Sequence, residues 1–216
     1  MAAGIEPAVD TNDNFVGDAL LKKTEAANTE IVRMAPPRTG QNARVSKVVY
    51  TTAGTSHNLY FMTPYSQVTV ASEAASGQAT LVLSSIPTLP DGLILAAGDF
   101  LVFQYEDGYW ETGKITSISG NTVTFSRCWL ASDRAGGATA NLNKKVLKSS
   151  TVHVMGAPAD HDQRLIETTT SSTETFEDAS SGLCTSGVNE PILFVSSNGT
   201  AAGTVKQFGF HYLPTA

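Results

Sequence analysis

Apolar and polar residues alternate along most of this chain with a period of two, the pattern of strands that bury one face in a sheet. Arg44–Thr52 and Asn58–Thr63 are rich in Val, Tyr, Phe and Thr and are separated by the turn cluster Ala53-Gly54-Thr55-Ser56, which predicts two strands. Gln67–Ser72, Ala79–Ser85, Phe100–Tyr105, Tyr109–Ile118 and Thr122–Arg127 continue the series, with Asp107-Gly108 and Ser119-Gly120-Asn121 as turns. Lys144–Ser149 and Val152–Met155 resume it after a small, flexible stretch from Ala131 to Ala140. At the end of the chain Pro191–Ser197 and Thr204–Leu213 flank Asn198-Gly199 and predict a closing hairpin, with Phe208, Phe210 and Tyr212 alternating onto one face. No segment between strands is long and periodic enough to be a crossover helix, so the strands are expected to pair antiparallel.

Two segments depart from this period. Val16, Leu20, Ala27, Ile31 and Met34 are spaced by threes, fours and a seven, Asn14 can cap, and Pro36-Pro37 can terminate, which predicts one helix from about Phe15 to Met34. Arg38–Ala43 then reads as an exposed linker. Residues 157–190 are rich in Ser and Thr, acidic and poor in large apolar residues, and are expected to lie extended against another surface. The expected organisation is an N-terminal arm with one helix (1–43), a β body (44–156), the extended acidic segment (157–190) and the closing hairpin (191–216) belonging to the body. The fold class is mainly β: an antiparallel, jelly-roll-like sandwich or small barrel.

Composition narrows the function more than the fold. A length of 216 residues suffices for one large β domain or two small ones. The formal charge of −6 argues against a generally basic, nucleic-acid-binding surface. Charge is nonetheless segregated: Arg33, Arg38, Arg44 and Lys47 stand without an acid between them. Asp160, Asp162, Glu167, Glu174, Glu177, Asp178 and Glu190 face only Arg164. Opposite patches of this kind either meet within one fold or between copies, or are two solvated faces without consequence. No apolar stretch reaches the ~20 residues a membrane helix needs, and Met1–Asp10 has no basic-then-apolar pattern, so neither membrane insertion nor export by a signal is expected. Cys128 and Cys184 have no CxxC or Cys/His spacing and read as free thiols.

Candidate chemistry is sparse. There is no GxSxG, HExxH, GxGxxG or phosphate loop, and Gly199–Thr204 lacks the lysine that phosphate cradling needs. Asp160-His161-Asp162 with His153 is the best metal candidate, but adjacent residues of an extended chain point to opposite sides. Glu106, Asp107 and Glu111 surround a hairpin tip where a glycosidase would hold two carboxylates ~5 Å apart, although acids beside Gly108 read more simply as turn formers. Tyr109 and Trp110 offer a sugar platform; Trp110 and Trp129 equally suit core or interface anchors. Asn198-Gly199-Thr200 matches a glycosylation pattern and is better explained as a turn. The expectation is a protein without catalysis, cofactor or metal.

One stretch carries a resemblance. Gln78-Ala79-Thr80-Leu81-Val82-Leu83, Ala97-Gly98-Asp99-Phe100 and Lys114–Phe125 with its Ser119-Gly120-Asn121 turn resemble, in this order, a small β module of tailed-bacteriophage virion proteins, within residues 78–127. The resemblance implies an opening strand, a glycine-aspartate turn into a barrel strand and a closing hairpin. It implies a structural virion role in capsid, decoration or tail. A full major capsid protein would need a spine helix and a larger α/β core. The expected function is therefore that of a capsid cement or decoration protein, a homotrimer on the capsid surface, assembled in the bacterial host cytoplasm with the major capsid protein as partner and no nucleic acid or membrane. Phe15, Leu20, Ile31 and Met34 are the expected packing contacts, and Arg33, Arg38, Arg44 and Lys47 the docking charges. The alternative is a carbohydrate- or receptor-binding module of a phage tail or fibre using Tyr109 and Trp110.

Overall fold

A computed structural model of the chain describes residues 8–9, 15–19, 31–52, 57–89, 92, 94–130, 140–157, 166–168, 173–178, 181–197 and 203–214, which among them contain strands and no α-helix. The chain divides into two compact units, Met1–Thr63 with Asp162–Ala216, and Pro64–His161 between them in sequence.

The first unit is built from β1 (Ala8–Val9), β2 (Phe15–Ala19), β3 (Ile31–Ala35), β4 (Gln41–Thr52) and β5 (His57–Met62) before the inserted unit. The inserted unit contributes β6 (Ser66–Ser72), β7 (Thr80–Leu83), β8 (Phe100–Gln104), β9 (Trp110–Ser119), β10 (Thr122–Leu130) and β11 (Thr151–Gly156). The chain returns to the first unit with β12 (Ile166–Thr168), β13 (Thr173–Glu177), β14 (Cys184–Val188), β15 (Ile192–Ser197) and β16 (Gly203–Pro214).

Two antiparallel sheets form the first unit, ordered β1-β2-β16-β4-β13 and β12-β5-β15-β3, with β14 beside β13 along the same side of β4. Successive strands change sheet: β2 lies in the first, β3 in the second, β4 in the first and β5 in the second. On the return β14 lies in the first, β15 in the second and β16 in the first. With β2 beside the last strand, β16, and the chain changing sheet at each step from β2 to β5 and again from β14 to β16, the wiring is that of a jelly roll. The inserted unit interrupts it between β5 and β12.

Period-two alternation fills the sandwich. Ala43, Val45, Val48 and Tyr50 of β4 and Phe208, Phe210 and Tyr212 of β16 meet Leu59, Phe61, Ile192 and Phe194 of the other sheet in one buried cluster. Phe194 is central, its ring centroid 5.5 Å from Phe61, 6.0 Å from Phe208 and 6.4 Å from Tyr50. Tyr50 satisfies its buried hydroxyl on Ser196 Oγ at 2.8 Å, and Tyr212 donates to the Pro36 carbonyl at 2.6 Å. The second sheet is apolar on both faces, since Val32, Met34, Leu193 and Val195 alternate with the core residues and are buried too. This is why Ile192–Val195 is an unbroken apolar run.

Three expectations change here. The helix placed over 15–34 is a strand at both described ends, β2 and β3; residues 20–30 lie outside the described residues. Short apolar groups such as Phe15-Val16 and Ile31-Val32 fit either period, and pairing to β16 and β15 decides for the strand. The linker Arg38–Ala43 is a tight turn at Gly40 (φ 71°) leading into β4, with Ala43 fully buried. β15 and β16 do not form a hairpin: β15 pairs with β3 and β5, β16 with β2 and β4, so the chain changes sheet between them. The described parts of the acidic segment, β12, β13 and β14, lie at sheet edges.

The second unit is a closed antiparallel barrel, β10-β7-β6-β11-β8-β9. Within residues 78–127 the expected local elements are strands and turns: β7, the Gly98 turn (φ 102°) into β8, and the β9–β10 hairpin through Gly120 (φ 56°). Asp99 fixes that entry turn by accepting the Ala96 N–H at 2.7 Å. Leu81, Leu83, Leu101, Phe103, Ile115, Val123, Phe125, Val152 and Val154 fill the interior. Leu89 and Leu95 from the β7–β8 connection add to it, as do Leu142 and Val146 from the segment before β11. Lys144–Ser149 is not the expected strand; only Val146 bridges, to Ala74.

Gly113 of β9 makes room for the Phe125 ring. A Cβ at this position would stand 2.5 Å from Phe125 Cδ1, and the ring is held from behind by Phe103, stacked at 5.4 Å. The β9–β10 ladder slips around Phe125 to allow this fit. Gly113→Ala is expected to destabilise the protein by about 1–3 kcal/mol through overpacking, read from chemical denaturation. Unchanged stability would mean the ring is not confined there.

Candidate functional site

The basic segment sits on β3 and β4 of the sandwich and is largely engaged within it. Arg33 is buried, with Nη1 donating to the Val32 carbonyl at 2.7 Å. Arg38 lies over the Tyr212 ring at 5.6 Å. Arg44 donates from Nε to His211 Nε2 at 2.5 Å across the β4–β16 ladder. Gly182 (φ 79°) lets this side chain pass, since a Cβ there would lie 2.5 Å from Arg44 Cγ. Lys47 pairs with Glu177 at 3.2 Å, directly opposite on β13. The segregated charges of the sequence thus meet inside one fold at this pair. Of the expected packing residues, Met34 is buried, Phe15 and Ile31 are described only as strand backbone, and Leu20 lies outside the described residues.

The other concentration of chemistry is one end of the barrel, around the β8–β9 hairpin. Gln104 and Asp107 stiffen the tip by bonding Gly108 O (3.0 Å) and the Tyr109 N–H (3.3 Å). Asp107 is paired with Lys144, and Lys145 with Glu106 at 3.3 Å and Glu73 at 3.7 Å. Lys144 also stands 4.8 Å above the Tyr109 ring, which is 53% exposed. The Asp107 carboxyl is held below its ordinary range, chiefly by the Lys144 hydrogen bond.

Glu111 does not share this rim. It lies opposite Phe103 on the inner wall and is completely buried. Its Oε1 accepts from Asn143 Nδ2 at 2.7 Å, while Oε2 has no partner. Burial outweighs the Asn143 bonds and pushes the carboxyl up to about 8. The thiol of Cys128, also in the barrel core, is pushed up by burial and by Glu111. Glu106, Asp107 and Glu111 therefore do not face one another across a cleft, as a glycosidase requires. Trp110 is half-buried with its ring tilted 47° to His153 at 5.6 Å, and Tyr109 carries a lysine, so the two aromatics do not form a coplanar exposed platform.

Asp160, His161 and Asp162 lie outside the described residues, among which no group of three His, Cys, Asp or Glu is placed to hold a metal. His153 is buried in the barrel wall. Asn143, Tyr105, Gly113 and Gly182 were not foreseen from sequence. Their roles come from contacts with residues far away in the chain, for which no local pattern exists.

No family model and no curated protein matches the chain. Among solved structures, VP17, a capsid protein of bacteriophage P23-77, is 10% identical over 89% of this chain and 100% of that chain, with a TM-score of 0.19. A structure of the infectious bursal disease virus Gx strain is 10% identical over 93% of this chain and 40% of that chain, with a TM-score of 0.18. At these scores neither superposition defines a fold or a role.

His153 supplies a pH test of the barrel. Burial pushes the imidazole down to about 4. A buried neutral base lets the unfolded chain bind the proton first, so its contribution is complete above the ordinary value near 6.5 and is lost as pH falls towards 4. His153→Phe is expected to lose less melting temperature than wild type between pH 7 and about 4.5, measured by calorimetry. Parallel losses would refute a neutral buried His153.

Proposed function

We propose that this chain is a structural virion protein, a capsid cement or decoration protein of a tailed bacteriophage that acts as a homo-oligomer, most simply a trimer, on the major capsid protein. The observation that supports the reading is the inserted barrel, whose β7 strand, Gly98 turn and β9–β10 hairpin are the elements that the resemblance within residues 78–127 implies. The jelly-roll wiring supports it, because this architecture recurs in capsid domains; it also recurs in lectins and cupins. A cupin-like role is disfavoured by a sandwich interior occupied by Tyr50, Phe61, Phe194 and Phe208, which leaves no ligand set among the described core residues.

Cementing works through area repeated over many copies. A standard interface of about 1,600 Å² per contact is multiplied over a shell. Arg33 and Met34, being buried, drop out as surface contacts. Arg38, Arg44 and Lys47 remain the docking charges in this reading, where they steer and orient more than they anchor.

The experiment is native mass measurement followed by cosedimentation with empty capsids built from the major capsid protein of the same genome. A trimer that pellets with capsids is expected, with binding weakened by Arg38→Glu combined with Lys47→Glu and by raising salt from about 0.05 to 0.5 M. A monomer that stays in the supernatant at low salt would overturn the proposal.

A further inference from the structure

The barrel end near the β8–β9 tip is closed by residues 140–146. This segment runs beside 74–78, with Gly77 N–H on Leu142 O and Leu142 N–H on Gln78 O at 2.8 Å each. Ala74 and Val146 exchange bonds of 3.0 and 2.9 Å. Leu142 and Val146 drop into the core. Between them Asn143 ties the segment to the barrel wall twice: its backbone N–H donates to Tyr105 Oη at 2.8 Å, and Nδ2 donates to Glu111 Oε1 at 2.7 Å. The wall side of this lock is a carboxyl whose second oxygen is buried and unpartnered. An ionised carboxylate there would hold a full charge in an apolar interior with Asn143 as its hydrogen-bonding residue, the costly case among buried groups.

We propose that residues 140–146 are a proton-locked plug, held in the barrel end by neutral Glu111 and released when Glu111 ionises.

Beyond the Asn143 bonds, which burial outweighs, the described neighbours bring no positive charge to the ionised form. From β10 the titratable neighbour is Cys128, and from β8 it is Tyr105. β6, β7 and β11 present Val70, Leu81, Leu83, Val152 and Val154. The plug's own Lys144 and Lys145 turn outward, to Asp107 and to Glu106 and Glu73. Burial already raises the Glu111 carboxyl to about 8, so the switch falls in the mildly alkaline range. Release has a surface consequence, because the plug supplies the lysine over Tyr109 and leads into Leu147, which is 39% exposed. An open plug dismantles that rim.

Trypsin tests this in the full chain, since Lys144 and Lys145 lie in the plug and Lys148 follows it. Cleavage after these lysines, normalised to a free peptide, is expected to accelerate about tenfold from pH 7 to pH 9, following the ionised fraction of a group near 8. Glu111→Gln should cleave slowly and equally at both values. Asn143→Ala, lacking one bond of the lock, should cleave fast at both. A wild-type rate flat with pH, a rise retained in either variant, or cuts after Lys114 in β9 rising in step with those in the plug would each overturn the proposal.

Discussion

The pairing of β4 with β16 is the constraint on which the sandwich depends. These two strands lie side by side from Thr52 opposite Gly203 to Gln41 opposite Pro214, joining parts of the chain separated by the whole inserted barrel. The ladder sets Phe208, Phe210 and Tyr212 on the same face as Val45, Val48 and Tyr50, and that face is one wall of the core. A one-residue slip would turn all of these side chains outward. The register is also pinned on the other face, where Arg44 bonds His211. Such long-range pairing closes late and at high entropic cost, so the barrel, with nearer partners in sequence, has the topological advantage in forming first.

The strands were legible because period two is a local property. Nearly every expected strand from Arg44 to Met155 is present, including those expected within 78–127. Which strands would be neighbours was not legible. Ala53–Ser56 and Asn198-Gly199 look like hairpin turns, yet their flanking strands lie in opposite sheets, because in a jelly roll the core between the sheets, not the turn, decides the partner. The same reasoning explains the strands at both described ends of the expected helix. Val16, Ile31 and Met34 keep a helical spacing, but Phe15–Ala19 and Ile31–Ala35 are claimed by β16 and β15, and tertiary pairing overrides a narrow apolar stripe.

Charge told a similar story at the level of function. Four basic residues without an intervening acid suggested an outward-facing patch, yet strand geometry hides Arg33, while Lys47 meets Glu177 directly across the ladder. Acidic edge strand on basic central strand is partly an internal fastening: it places a Ser/Thr-rich segment too poor in apolar residues to anchor itself. The pair is about half-exposed on its acidic side and contributes modestly to stability. Its larger effect is on register, since like charges at those positions would oppose the pairing.

The buried groups of the barrel obey a different logic. Glu111 was legible as an acid near a hairpin tip, but its depth depends on β9 alternation counted from Gly113 and Ile115, which place it inside while Trp110 points out. A core of Leu, Val and Phe alone would hold the barrel closed without choosing where residues 140–146 must sit. One amide and one carboxyl choose, because the Asn143 side chain meets Glu111 while its backbone N–H, which any residue but proline would offer, meets Tyr105. The choice costs stability as pH rises from the ordinary carboxylate value towards 8, because over that range the unfolded chain releases the proton while the folded one keeps it. His153 tilts the balance the other way in acid. Between the ordinary carboxylate and imidazole values the two slopes oppose each other, so these groups together place the barrel's most stable range there, in weak acid, with Glu111 lowering stability above it and His153 below it as the unfolded chain takes the favoured charge first.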